Sequence, residues 1–285
     1  MNRVILPALL LGIAALAGLS AWLYWHLIVA EGALVGQWLV TLLYDLAAWR
    51  YDHIKSYSIE AEDIFLGGPI AKLLANRASP LIVDIGTGTG RLPAALLARP
   101  DFHGQIIGVD ASLAMLRIAA RKRLGGSGRV VYVWQDASCL PFEDAIFDCV
   151  TCLEMLEFTP SPADQLTEAV RVLAPGGLLV VTRRRNIRYG LMPGKLHSID
   201  EFEALLSKAG LVGVTRHVWQ VDYDLYYAWR ASSGHQPVSG QLQEAIRCPA
   251  CGVRSWLVNP GFWKCQRCGA QIREQAGILH LARYR

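Results

Sequence analysis

The stretch Val83-Asp84-Ile85-Gly86-Thr87-Gly88-Thr89-Gly90 constrains this chain more than any other, because it sets an acid and three alternate glycines directly behind an apolar run. Leu81-Ile82-Val83 reads as a buried parallel strand, and residues 92–98 read as the helix that follows. Glycine lacks a Cβ and tolerates positive φ, so the backbone between them can turn tightly and approach a ligand. Amides at the start of the helix would then face that ligand. Twenty residues past Gly90, the run Ile106-Ile107-Gly108-Val109 ends in Asp110. An acid at the tip of the second strand is where a nucleoside's ribose hydroxyls would be gripped. A dinucleotide fingerprint asks for G-x-G-x-x-G/A. Here Arg91, a bulky cation, occupies the third critical position, so the pattern is D-x-G-x-G-x-G instead. The bland alternative is an ordinary glycine-rich turn between strand and helix.

That pattern resembles motif I of the class I S-adenosylmethionine-dependent methyltransferases, and three further segments follow in the family's order. Val130-Val131-Tyr132-Val133-Trp134-Gln135 reads as a third strand, with Asp136-Ala137 behind it. Pro141-Phe142-Glu143-Asp144-Ala145-Ile146-Phe147-Asp148 resembles the "LPF…FD" lead into strand four, residues 149–152. The run from Arg171 through Pro175-Gly176-Gly177 to Thr182 matches the helix–turn–strand signature that opens strand five. The resemblance spans about residues 44–229 and is closest to the small-molecule branch that includes quinone-biosynthesis methyltransferases. It implies a Rossmann-like α/β fold, with a seven-stranded, mostly parallel sheet and helices on both faces. It also implies S-adenosylmethionine as cofactor. Asp84 would reach the methionine moiety, while Gly86, Thr87, Gly88 and Gly90 bend around it. Asp136 would meet the adenine amino group, and Ala137 would leave room for the ring.

One departure bears on catalysis. Leu153-Glu154-Met155-Leu156-Glu157-Phe158 resembles the family's "LE-x-LEH" segment, but Phe158 stands where histidine is common, so no base carries over. Glu154 and Glu157 read equally well as substrate-facing groups or as solvated carboxylates in the first turn of a helix. The cofactor supplies the hard chemistry of methyl transfer, and holding an acceptor in line with the methyl supplies most of the rest. No catalytic residue is therefore named.

The chain has 285 residues, 53% of them hydrophobic, and the excess is local. Residues 4–30 carry no formally charged side chain over 27 positions, more than the ~20 a helix needs to cross a bilayer. Trp22, Tyr24 and Trp25 cluster near the far end, as aromatic side chains do at a membrane interface. A cleaved signal peptide competes, but its apolar region should be only about 7–15 residues long. The expectation is a retained transmembrane anchor over 1–30, single-pass, with the catalytic domain facing the cytoplasm where its cofactor is found. Residues 31–60 are expected to form an amphipathic lead helix that lies at the membrane surface and helps cover the cofactor. A second crossing over 33–49 is the alternative, against which Asp45 weighs, because charge in lipid is costly. The methyltransferase domain is expected over 61–230.

The net charge of +4 is modest, and Arg183-Arg184-Arg185-Asn186-Ile187-Arg188 is the one dense basic run. It reads as a solvated loop, a contact to anionic headgroups, or a grip on an acidic substrate. It lacks the interleaved aromatics of a nucleic-acid surface, so nucleic acid is not expected as a partner. Residues 190–194 read as a short lid, entering a helix capped by Ser198 with Glu201 three residues on. Residues 211–217 and 221–229 read as a closing antiparallel hairpin.

A polar linker is expected over 231–246. Beyond it, Cys248-Pro249-Ala250-Cys251 and Cys265-Gln266-Arg267-Cys268 lie 13 residues apart, each pair followed by a glycine. Two such knuckles can point four thiolates at one ion, so 247–285 reads as a zinc ribbon with structural Zn²⁺ on Cys248, Cys251, Cys265 and Cys268. Cys139, Cys149 and Cys152 read as buried small hydrophobes. Gly277-Ile278-Leu279-His280-Leu281 resembles the close of the small zinc-binding subunit that activates tRNA and translation-factor methyltransferases, here fused in cis. His280 is a poor further ligand, since four thiolates complete the shell.

Taken together, the sequence reads as a membrane-anchored methyltransferase acting on a small, lipophilic acceptor such as a quinone-like ring or lipid headgroup. One alternative is a protein or RNA methyltransferase that recruits substrate through the ribbon. Another is a non-catalytic membrane-tethered scaffold, against which the full set Asp84, Asp110 and Asp136 argues. Nothing in the sequence fixes an oligomeric state.

Overall fold

Five apolar runs become parallel strands because both of their faces are covered. In this computed structural model, which describes residues 2–122, 128–185, 191–232 and 242–281, they are Leu81–Ile85 (β1), Gln105–Asp110 (β2), Val130–Trp134 (β3), Phe147–Cys152 (β4) and Leu173–Arg184 (β5). Leu211–Gln220 (β6) and Tyr223–Arg230 (β7) add the antiparallel hairpin, giving the order β6-β7-β5-β4-β1-β2-β3. β1 is buried at every position, and it pairs with β2 on one side and β4 on the other. The strand order reverses there, which opens a crevice beyond the carboxyl ends of β1 and β4. Separate apolar clusters pack the two faces of the sheet, one around Val83, Val150 and Val181, the other around Ile82, Cys149 and Val180.

Local signals set the helices. Ser112, Ser161 and Ser198 each cap a helix by accepting from a backbone amide three residues on, and Ser198 forms a full capping box with Glu201. The Pro-Gly-Gly segment differs from expectation. The helix Pro162–Val172 passes directly into β5 at Leu173, which already pairs with Phe147. The bend is a bulge inside the strand, with Gly176 at φ +72. Cys149 and Cys152 are buried as expected, whereas Cys139 is exposed in the turn after β3.

The ribbon continues the main sheet. Trp256–Asn259 (β8), Phe262–Cys265 (β9) and Gln271–Gln275 (β10) form an antiparallel set. Ile278–His280 (β11) then pairs with β3 in parallel, Ile278 on Tyr132, Leu279 on Val133 and His280 on Trp134. The seven-stranded sheet thereby becomes one of eleven strands. Trp263, Ile272 and Leu279 join the same core cluster as β1 and β4. His280 is buried with its ring edge-on to Trp134, 5.4 Å between centroids. Of the expected linker, 233–241 lies outside the described residues.

At the other end, the helix Asn2–Tyr24 continues as a π-turn over Trp25–Val29. Pro7–Val29 is 23 residues long, apolar, and uncovered by the rest of the chain. The lead segment is not one helix. It breaks into Gln37–Ala47, a 3-10 turn Ala48–Arg50 and a short helix Tyr51–Ile54. Asp45 docks the first piece: its carboxylate accepts from the Ser112 hydroxyl at 2.5 Å and the Ala114 amide at 3.2 Å, at the positive end of the helix Leu113–Arg121. These bonds tie the segment to the domain, and at 11 residues Gln37–Ala47 is shorter than the ~20 a helix needs to cross a bilayer.

Candidate active site

The lead segment roofs the crevice at the switch point. Val40, Thr41, Tyr44 and Tyr51 close a cavity of about 110 Å³ whose floor is Gly86, Gly88 and Asp110. Ala137 and Phe158 complete the wall. A smaller pocket of about 40 Å³ adjoins it, sharing Gly86, Gly88 and Glu154 and reaching Asp84, Thr87, Arg91 and Glu62. The bend works because Gly86 and Gly88 adopt φ of +72 and +53. A Cβ on Gly86 would stand 3.0 Å from that of Met155, whereas one on Gly88 would meet nothing within 4 Å. The bend thus presents bare backbone to open space.

Two acids lie along the bend, the half-buried Asp110 on the cavity and the buried Asp84 on the smaller pocket. Asp110 accepts from the Gly88 amide through one oxygen and the Ser112 amide through the other, both at 2.8 Å. Burial pushes its carboxyl up to about 6 against the pull of those amides. Asp84 is buried, accepts from the Thr151 hydroxyl at 2.6 Å, and is likewise pushed up to about 6, chiefly by desolvation.

Two of the sequence-derived residues stand apart from the cavity. Gly90 is spent on packing, since a Cβ there would sit 2.8 Å from the Tyr132 hydroxyl and 3.1 Å from Ala119. Asp136 closes its own turn, accepting from the Ser138 amide at 2.7 Å, and does not line the cavity, whereas its neighbour Ala137 does.

Neither Glu154 nor Glu157 is solvated. Glu154 pairs with Lys55 at 2.5 Å and Arg91 at 3.2 Å and accepts from Gln220 at 3.1 Å. Burial pushes it up, but Lys55 and Arg91 outweigh that and hold its carboxyl below the usual range. Glu157 is buried and raised by desolvation, with the Tyr223 hydroxyl donating to it at 2.6 Å. Arg91, conspicuous in the sequence only as a misfit, bridges Glu154 to Glu62. Gln37 had no signal of its own beyond lying in the lead segment.

The basic run is not a free loop. Arg183 is buried against Asp224 at 2.5 Å, Arg185 reaches the same carboxylate at 3.4 Å, and Arg184 pairs with Glu31 at 3.5 Å. Its remaining members, Asn186, Ile187 and Arg188, lie outside the described residues, as does Gly190 of the expected lid. Met192 of that lid and Leu196 just beyond it are buried beside Phe158.

In the ribbon the sulfurs of Cys248, Cys251, Cys265 and Cys268 all lie within 4.8 Å of one another. The pairs Cys248–Cys268 and Cys251–Cys265 stand at 3.6 Å. That is too long for a disulfide and close to the ~3.8 Å edge of a tetrahedron with 2.3 Å metal–sulfur bonds. Gly252 and Gly269 turn each knuckle at φ +73 and +76.

A reversed-order parallel sheet, a glycine bend behind an acid and a second acid at the tip of β2 define the class: the chain carries a class I S-adenosylmethionine-dependent methyltransferase domain. Residues 83–181 match the family described as a methyltransferase domain. The chain is 34% identical over 142 residues to the demethylmenaquinone methyltransferase of Clavibacter sepedonicus, covering 50% of this chain and 56% of that one. It is 35% identical over 132 residues to the demethylmenaquinone methyltransferase of Thermus thermophilus, covering 46% and 60%. The matches thus span little more than half the length of these relatives. Among solved structures, the [4+2]-cyclase SpnF aligns with TM-score 0.55 at 21% identity, covering 70% of this chain and 98% of that one. That likeness shows the fold alone, and the cyclase of that name illustrates that fold does not dictate reaction.

Proposed function

We propose that this chain is a membrane-anchored methyltransferase that transfers a methyl group from S-adenosylmethionine to a small, lipophilic acceptor of the hydroquinone type. The observation that carries it is the roofed cavity, in which bare glycine backbone and the Asp110 carboxylate lie opposite an aromatic and aliphatic lid, with the buried Asp84 on the adjoining pocket. The residues fit the cofactor. Asp110 keeps free lone pairs for ribose hydroxyls while its amide partners fix its orientation. Asp84, buried, suits the cationic methionine end. Ala137 leaves room for a flat ring, and Asp136 is proposed to act there only through its turn. Gly90 is proposed to serve by closing helix on strand.

When bound, the cofactor supplies an electrophilic methyl group on a positively charged sulfur. The chain's own residues orient and seclude. Tyr44, Phe158 and Val40 exclude water and hold an aromatic acceptor flat, which supplies proximity and alignment. Glu154 is held ionised by two cations and is a poor proton acceptor, so positioning rather than a protein base carries the rate. The demethylmenaquinone acceptor named for the relatives supports a ring with a long apolar tail.

The four-thiol cluster is proposed to hold structural Zn²⁺ on Cys248, Cys251, Cys265 and Cys268, closing a shell that leaves no open position. The span Pro7–Val29 is proposed to be a retained single-pass anchor with the domain on the cytoplasmic side. Trp25 and the buried Ala30 and Ala33 pack into one cluster with Phe158 and Met192, so cleavage there would strip the domain of its own core. The test is formation of S-adenosylhomocysteine by the full chain in vesicles supplied with membrane lipid extract or a prenylated hydroquinone. Product tied to the acceptor is expected, and no turnover on either would overturn the reading.

A further inference from the structure

The lead helix has two apolar faces, and the domain uses only one. Val40 and Tyr44 turn inward to the cavity and to the buried cluster with Phe158. Trp38, Leu42, Leu46 and Trp49 recur at intervals of four, four and three, which places them on one stripe of the helix and its 3-10 extension. They are 66%, 45%, 65% and 77% exposed. The Arg50 guanidinium lies 5.1 Å from the centre of the Trp49 ring, closing the stripe with a cation.

We infer that this stripe beds in the bilayer interface, so that the cavity beneath the same helix is entered from the lipid side and the acceptor arrives without crossing water. Position supports lipid as the occupant. The apolar span ends at Val29, with seven residues between it and Gln37, and the eight steps from one to the other reach no more than about 29 Å. The link is also folded: Ala30, Ala33 and Val40 are buried together, which ties the end of the span to the helix. A helix held there with tryptophan at both ends and arginine beyond the last has the character of an interfacial helix. The two faces are only one helix diameter apart, so a ring leaving the bilayer meets Gln37, Thr41 and Tyr44 first. The inference rests on the anchored reading proposed above and adds the route by which the site is filled.

The test uses the full chain in phosphatidylcholine vesicles whose acyl chains carry bromine, which quenches nearby tryptophan. Comparing the protein with Trp22→Phe, Trp38→Phe and Trp49→Phe gives the quenching of each ring. Quenched Trp38 and Trp49 are expected. The pair Leu42→Glu and Leu46→Glu, whose side chains touch neither cavity nor sheet, is expected to raise KM at least tenfold for a prenylated hydroquinone held in the vesicle. It should leave kcat, calorimetric cofactor affinity and turnover of a tail-less hydroquinone in water unchanged. Quenched Trp22 with unquenched Trp38 and Trp49 overturns the inference and spares the anchor, as does a stripe shielded by a second copy of the chain. Unquenched Trp22 overturns both. An equal rise in KM for the tail-less hydroquinone overturns the lipid-side route. Should neither hydroquinone be methylated, the acceptor reading fails and quenching alone decides the seating of the stripe.

Discussion

Asp84 and Glu154 lie on the same pocket and meet opposite fates. Glu154 has Lys55 and Arg91 within an ion pair's reach and stays ionised. Asp84 has chiefly hydroxyl donors to favour its charge, and deep burial outweighs them, pushing its carboxyl up to about 6. In the cofactor-free protein this acid therefore stabilises the fold below its unfolded value near 4, and that contribution is lost as pH rises through about 6. A bound cation reverses the balance by favouring the ionised form. Cofactor affinity is accordingly expected to fall about tenfold between pH 7 and pH 5, with proton release on binding at the lower pH. Calorimetry in two buffers of different ionisation enthalpy measures both quantities. Asp84→Asn should bind weakly and with a shallower profile, since Asp110, also pushed up to about 6, is left to titrate. The same slope in that variant would remove Asp84 from the account. At this scale the sequence spoke clearly where position fixes role. Asp84 and Asp110 are set by the strands they end. Asp136 is set by its turn, and a short acid two residues before an amide is free to close on it, which no strand pattern foretells.

The elements that repeat an unbroken apolar run were legible, because burial on both faces leaves one choice of structure. The pairing of β11 with β3 was not, since three residues such as Ile278-Leu279-His280 carry no mark of which edge they will join across more than a hundred residues. The short tail similarity hinted at a module and not at its seat. The lead segment reads as continuous, yet it breaks at Ala48–Arg50, where the helix must turn to bring Tyr51 over Gly86. The seat of β11 has an energetic consequence. An uncovered β3 would offer Tyr132 to Trp134 as an open edge, which is a template for aggregation. The four-thiol cluster, proposed above to hold Zn²⁺, therefore belongs to the segment that covers an edge of the main sheet. Stripping the metal with a chelator, or Cys265→Ser, is expected to lower the melting temperature of the whole domain by about 5–10 °C in a single transition, as the loss of roughly 3 kcal/mol would do in a domain of this size. Two separate transitions, or a methyltransferase domain that melts as before, would show that ribbon and sheet are thermally independent.

At the scale of the whole molecule, the apolar N-terminal helix is attached to the site through a folded junction. Gly32 donates to the carbonyl of His26, and Arg184 donates to that of Val29. Glu31 accepts from the Tyr44 hydroxyl at 2.9 Å on the cavity roof and pairs with Arg184 on β5. Length and apolarity favour an anchor over a signal sequence, but the sequence offered no way to see that the residues just past the span belong to the domain's interior. The two descriptions part when the chain is shortened. Removing residues 1–24 takes away no buried residue over 7–24, and the remaining protein should bind cofactor with unchanged affinity while losing its hold on vesicles. Removing residues 1–36 also takes Glu31 and the buried Ala30 and Ala33, with Trp25 and Leu34 packed against them. Burial of that size is worth about 3 kcal/mol or more. It leaves Tyr44 with a lost partner and Arg184 without its ion pair, so both melting temperature and cofactor affinity should drop together. Equal cofactor affinity in the two truncations would mean that the roof stands without the junction, and the span would then be a tether that ends where the helix does.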